Sequence, residues 1–252
     1  KIFNFKYMEK FCKNSINFFI FAVFASTILF SGCKSIHSEE NTNINEKKEA
    51  ELPPLSEQEI NLLKKLGGEV LEDGNIKIGL AKIDRKKMEI SFPAEVNLKA
   101  GEIEVLICIP GGRAHESLLI TNLEPLDLQI ALLLIGAENG LRTPGGHIQQ
   151  GTLLKIEVEP EGGKRIPVEK WIREIKTGKE RQLSDWVFVG SNFTHDGTCL
   201  AKEEGNIANT WTFGNTIIDN PSDDATDDSV LEIFSERVPR VGTKVTVYIR
   251  KK

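Results

Sequence analysis

The densest group of chemically capable side chains in this sequence is His115-Glu116-Ser117. A histidine, a carboxylate and a hydroxyl side by side suggest a metal site or an activated nucleophile. On a regular strand, however, alternate side chains point to opposite faces. His115 and Ser117 would share one face and Glu116 would point away with Leu118. Ser117 also lacks the strand–turn–helix elbow, G-x-S-x-G, that exposes a hydrolase nucleophile. The structural reading is that His115 and Glu116 hydrogen-bond to nearby backbone at a turn, as buried polar side chains do. Cys108 and Cys199 are the other reactive groups, open to a disulfide in an oxidising compartment or to a role as small buried hydrophobes. A zinc set of Cys108, His115, His195 and Cys199 matches no familiar ligand spacing. The aspartate-rich run from Asp219 to Asp228 lacks the glycine and glutamate of a helix–loop–helix calcium site and reads as a solvated acidic loop. Asn192-Phe193-Thr194 matches a glycosylation sequon, a pattern too short to carry weight by itself. No glycine-rich phosphate loop and no basic–aromatic nucleic-acid surface is present, and no cofactor is expected.

The elements that must position these residues begin with the stretch from Glu102 to Gly136. Ile103, Val105, Ile107 and Ile109 alternate with Leu106 and Cys108, so both faces of this strand are apolar and buried. Pro110-Gly111-Gly112 predicts a two-residue hairpin turn, returning as a strand from His115 to Thr121. Pro125 opens a helix whose residues from Leu126 to Ile135 leave almost no polar stripe, which predicts a central, buried helix. Gly136 closes it. Ser56 and Glu59 form a capping box before a short helix that ends at Gly67-Gly68. Strand signals follow at 75–83 and 87–92, where Met88, Ile90 and Phe92 form a core stripe. Asn139-Gly140 and Pro144-Gly145-Gly146 make a loop holding His147. A strand follows at 151–159, and 168–175 reads as either strand or helix. Late strands begin at Trp186 and continue at 206–213, 229–234 and 243–250. The fold class is α+β and β-rich, one compact domain of mainly antiparallel strands around one buried apolar helix.

Blocks spread along this region carry a family resemblance. "ISFPAEVN" at 90–97, "GGRAHESLLIT" at 111–121, "ALLLIGA" at 131–137, "DWVFVGSNF" at 185–193, "EGNIANTW" at 204–211 and "VGTKVTVYI" at 241–249 resemble the YdjY-type domain, in the same order. The resemblance covers most of residues 68–252. It implies a bacterial envelope protein with a conserved fold and no established activity. Some relatives carry a ferredoxin-like label; this chain has no C-x-x-C spacing to hold an iron–sulfur cluster.

The N-terminal segment sets the compartment. Lys1, Lys6, Lys10 and Lys13 precede an uncharged run from Asn14 to Gly32, and Leu29-Phe30-Ser31-Gly32-Cys33 resembles a bacterial lipobox. Residues 1–32 are expected to be a lipoprotein signal peptide, with Cys33 acylated after cleavage; the alternative is an uncleaved transmembrane anchor. With Lys1 in first place, the start is expected upstream or at Met8. Residues 33–55 form the acylated cysteine and a flexible tether, in which His37 faces solvent, and residues 56–252 form the globular domain. Loss of four lysines and Glu9 takes the formal net charge from −5 to −8. That disfavours nucleic acid and anionic lipid head groups as partners. Membrane attachment is expected through the lipid alone, facing the periplasm, with Lys34 favouring the outer membrane where one exists. The expected function is a non-catalytic binding module for an envelope protein or a small ligand; the alternative is a metal-dependent or redox-linked enzyme component centred on His115 and Glu116.

Overall fold

A computed structural model of the chain describes residues 54–142, 148–182 and 185–252. Helix α1 (Glu57–Lys65) opens with the capping box: Glu59 N donates to Ser56 Oγ at 3.3 Å and Ser56 N donates to Glu59 Oε2 at 2.7 Å. A meander follows, β1 (Gly68–Val70), β2 (Ile76–Ile78), β3 (Ala81–Asp84) and β4 (Glu89–Val96). The middle of the chain holds β5 (Val105–Cys108), β6 (Ser117–Ile120), α2 (Pro125–Leu134), β7 (Leu141–Arg142), β8 (Ile148–Gln149), β9 (Leu153–Pro160), β10 (Ile166–Pro167) and β11 (Ile172–Glu174). Last come β12 (Trp186–Phe188), α3 (Leu200–Glu204), β13 (Asn206–Asn209), β14 (Ile218–Asp219), β15 (Leu231–Ile233) and β16 (Lys244–Lys251).

The main sheet closes on itself. Its strands run β4–β16–β9–β12–β14–β13–β5–β6, and β6 pairs back onto β4 through Glu95↔Ile120 and Val96↔Leu119. Closure removes the exposed edges that an open sheet would leave. Long alternating strands supply the wall. Ile90, Phe92, Ala94 and Val96 of β4, Val245, Val247 and Ile249 of β16, and Leu154, Ile156 and Val158 of β9 are all buried. Val247 lies in register between Phe92 and Val158. On the opposite face of these strands, Arg165 reaches across from the chain entering β10. It pairs with Glu89 on β4 and Glu157 on β9, and its guanidinium lies 3.9 Å over the Tyr248 ring of β16.

Helix α2 is buried around nearly its whole circumference, as its composition demands. Gly136 takes a φ of +74°, and Lys251 Nζ donates to its carbonyl at 3.1 Å, placing a cation at the negative end of the helix. The Asp127 carboxylate lies against Gly79, whose φ of +53° is a conformation glycine adopts without strain, so the turn between β2 and β3 docks on the start of the helix.

Several sequence expectations are corrected. The segment at 75–83 is two strands with a turn at Gly79-Leu80, and 168–175 divides into a 3-10 turn (Val168–Trp171) and β11. Asp219 is not on a solvated loop but fully buried on β14, while Asp227 and Asp228 are exposed. His147 and the Pro144-Gly145-Gly146 loop lie outside the described residues, as do Cys33, His37 and the rest of residues 1–53. The main correction concerns the predicted hairpin. Strands β5 and β6 are parallel, paired Val105↔Ser117 and Ile107↔Leu119, so residues 109–116 run back the length of the strand instead of turning. Only Gly111 has positive φ, +92°. Gly112 has a different reason for being glycine: a Cβ there would stand 2.6 Å from the Gly205 carbonyl oxygen. Gly111 supplies the positive φ of a tight turn closed by Gly112 N donating to Ile109 O at 3.0 Å, and Gly112 serves the backbone-on-backbone approach; neither makes a hairpin between β5 and β6.

A second unit repeats this arrangement beside the first. Strand β13 pairs antiparallel with β5 and parallel with β14, and residues 210–217 cross back between them. Two short parallel units thus lie next to each other, with their crossing loops in contact.

Candidate functional site

The place where the two crossing loops meet gathers charged and aromatic side chains from both. From the first loop, Arg113 Nη2 lies 2.7 Å from Glu104 Oε2, and its Nε pairs with Glu116 Oε1. From the second, Phe213 lies beneath the guanidinium at 4.3 Å and Trp211 at 5.9 Å, within the range of cation–π attraction. The two rings stack on each other with centroids 4.6 Å apart and planes tilted by 30°. Arg113, Glu104, Glu116, Trp211 and Phe213 are all part-exposed, and His115 stands outermost with 77% of its side chain in solvent.

Local sequence builds this rim from below. Thr210 N and Trp211 N both donate to the Glu104 carbonyl, at 2.9 and 3.1 Å, and Thr210 Oγ1 donates to the Ile103 carbonyl. The tryptophan's backbone is therefore tied by a hydrogen bond to the residue that bears one of the arginine's carboxylates. Asn209 Nδ2 donates to Phe213 O at 3.0 Å and Asn206 Nδ2 to Asn215 O at 3.4 Å, so β13 ties down its own crossing loop. Glu204 accepts from Asn215 N and Nδ2 at 2.7 and 2.6 Å, with its carboxylate lying against Gly214. In the first loop, Asn97 Nδ2 donates to the carbonyls of Ala114 and Ser117 at 2.6 and 2.7 Å.

His115, Glu116 and Ser117 end up in three different settings. They lie on and after a 3-10 turn (Ala114–Glu116), so strand alternation does not govern the first two. His115 Nε2 is 3.7 Å from Glu116 Oε2, on the same side rather than on opposite faces. His115 is not a buried hydrogen-bonding group but an exposed ring. Glu116 binds the Arg113 side chain rather than backbone. Ser117 is fully buried and its hydroxyl donates to Leu119 O at 2.8 Å.

Cys108 and Cys199 are both buried free thiols. Burial pushes the Cys108 thiol above its ordinary value, and a hydrogen bond with Ser117 partly offsets this, so the group is a thiol and not a reactive thiolate. His195 sits in an open depression with Thr194, Asp196, Thr198, Leu200 and Glu203. Among the described residues no group of three His, Cys, Asp or Glu side chains is placed to hold a metal.

Sequence reasoning passed over Arg113, Glu104, Trp211 and Phe213. Each looks ordinary alone, and the only local signal was an arginine directly after a glycine pair. Their convergence depends on the parallel crossing of both loops.

These features define a small closed β-barrel domain with an arginine–aromatic cluster on paired crossing loops. The chain belongs to the YdjY domain family, whose sequence profile matches residues 81–250. No curated protein and no solved structure matches the chain significantly.

Proposed function

We propose that this protein is an envelope lipoprotein, anchored by acylated Cys33, whose YdjY domain is a non-catalytic binding module with the Arg113–Trp211–Phe213 rim as its contact surface. One observation carries the reading: a guanidinium fixed by two carboxylates and stacked on a tryptophan–phenylalanine pair, presented at the surface by two braced loops. Arginine and tryptophan are the residue types that dominate binding energy at protein interfaces, and bracing reduces the ordering cost of association. The seclusion of Ser117, with its hydroxyl committed to Leu119 O, and the exposure of His115 fit a contact surface better than a catalytic pair. The test places a photoreactive amino acid at position 115 of the full-length chain in its native envelope. The expected result is a crosslink to one partner, lost in Arg113→Ala. Zinc, copper or iron retained stoichiometrically through dialysis, and lost from His115→Ala and Glu116→Ala, would replace this reading with a metal-dependent component.

A further inference from the structure

The carboxylates around Arg113 are not fully used by it. Glu116 commits Oε1 to Arg113 Nε, while Oε2 faces the exposed His115 ring at 3.7 Å. Glu104 Oε2 is 2.7 Å from Arg113 Nη2 but out of line for a hydrogen bond, so the contact is ionic only. Two carboxylates thus face one guanidinium; the unpartnered Glu104 oxygen is itself buried, and Glu116 Oε2, on the His115 side, is the acceptor left for a further donor. Beside this excess negative charge lie the Trp211 and Phe213 rings, whose faces attract cations. Arg113 itself shows what the place accommodates: a guanidinium on an aromatic ring with carboxylates at its edge. We infer that the cluster recognises a basic side chain, arginine or lysine, on a polypeptide partner, seated beside Arg113 on the solvent side of Glu116 and Trp211. An acidic partner would set carboxylate against carboxylate, which is strongly unfavourable at an interface. The formal charge points the same way, −5 for the whole chain and −8 once residues 1–32 are removed. This inference rests on the reading of the rim as a contact surface.

The experiment titrates the full-length chain in detergent micelles with acetylated triarginine amide, using triglutamate as the control. Trp171 and Trp186 are each only 1% exposed, so a change in tryptophan fluorescence reports chiefly on Trp211. Triarginine should give a saturable change that weakens as salt rises. Glu116→Gln, which keeps the shape and removes the charge, should weaken binding by about tenfold. His115→Glu, at an exposed position, should tighten it several-fold. Equal triarginine affinity in wild type and Glu116→Gln overturns the inference, as does triglutamate binding as well as triarginine. A crosslinked partner at position 115 with no saturable triarginine response would leave the contact surface standing and remove the basic ligand. Charge-dependent triarginine binding without any crosslink would do the reverse.

Discussion

His115 and Asp127 show how differently two polar residues can relate to one fold. With its ring in solvent and one carboxylate 3.7 Å away, His115 contributes little to stability. His115→Ala should change the unfolding free energy by less than about 0.5 kcal/mol, the usual range for surface positions; a loss above about 1 kcal/mol by denaturant titration would show a buried role. Asp127 is the opposite case. Burial, reinforced by the charge of Glu124, raises its carboxyl above the ordinary value of 3.8, and Lys202 only partly compensates. A carboxyl whose folded pKa is raised binds its proton more tightly in the native state. It favours folding below the unfolded value and withdraws that support as pH rises through the folded one. At neutral pH the charge at Asp127 therefore opposes folding. Asp127→Asn should raise the melting temperature at pH 7 and leave it nearly unchanged at pH 3, and a lower melting temperature at pH 7 would contradict the burial account. Neither residue's setting was legible in the sequence. His115 was read on a strand because a strand was expected to return from a hairpin at Gly111-Gly112, yet the 3-10 turn ends just before Ser117.

At the scale of elements, strands with long regular alternation were legible and short ones were not. β16 carries its pattern over the full strand and its sequence boundaries stand within one residue. Helix α2 was equally clear, because no face of it is polar, and Leu132 and Leu133 are both buried. The crossing loops were hidden because Gly111-Gly112 suits two structures, and only the distant Gly205 decides between them. Gly112→Ala tests that decision. With a backbone oxygen 2.6 Å from the new methyl group, the two units must separate, and the variant should lose about 1–3 kcal/mol, the overpacking range. A neutral effect would mean that the loops are not in backbone contact. Arg165 is the matching test on the barrel wall, since one side chain joins β4, β16 and β9. Its own exposure is 29% and that of Glu89 is 9%, so Arg165→Met would leave a nearly buried carboxylate unpaired. The expected cost is about 1–3 kcal/mol, read by chemical denaturation. An unchanged midpoint would reduce Arg165 to an ordinary surface ion pair.

For the whole molecule, the family match begins at Ala81, while α1, β1 and β2 precede it and extend the sheet from β3. Among the described residues no helix is long and apolar enough to cross a membrane, so the proposed attachment rests on the segment ending at Cys33. Cys33→Ser should leave the precursor unprocessed and free of acyl label in the membrane fraction. A native protein isolated with residues 1–32 still attached would favour a transmembrane anchor instead.

The position of β16 in the ring has a kinetic consequence. Strand β16 fills the gap between β4 and β9, pairing with both from Val245 to Arg250. Until Lys244–Lys251 has been synthesised, the longest strands of the barrel have no common neighbour, and the wall stays open between them. Such wide sequence separation between pairing partners slows folding. A chain still emerging from the ribosome is thereby kept from closing early, which is the condition a protein needs if it must pass through a membrane unfolded before it assembles.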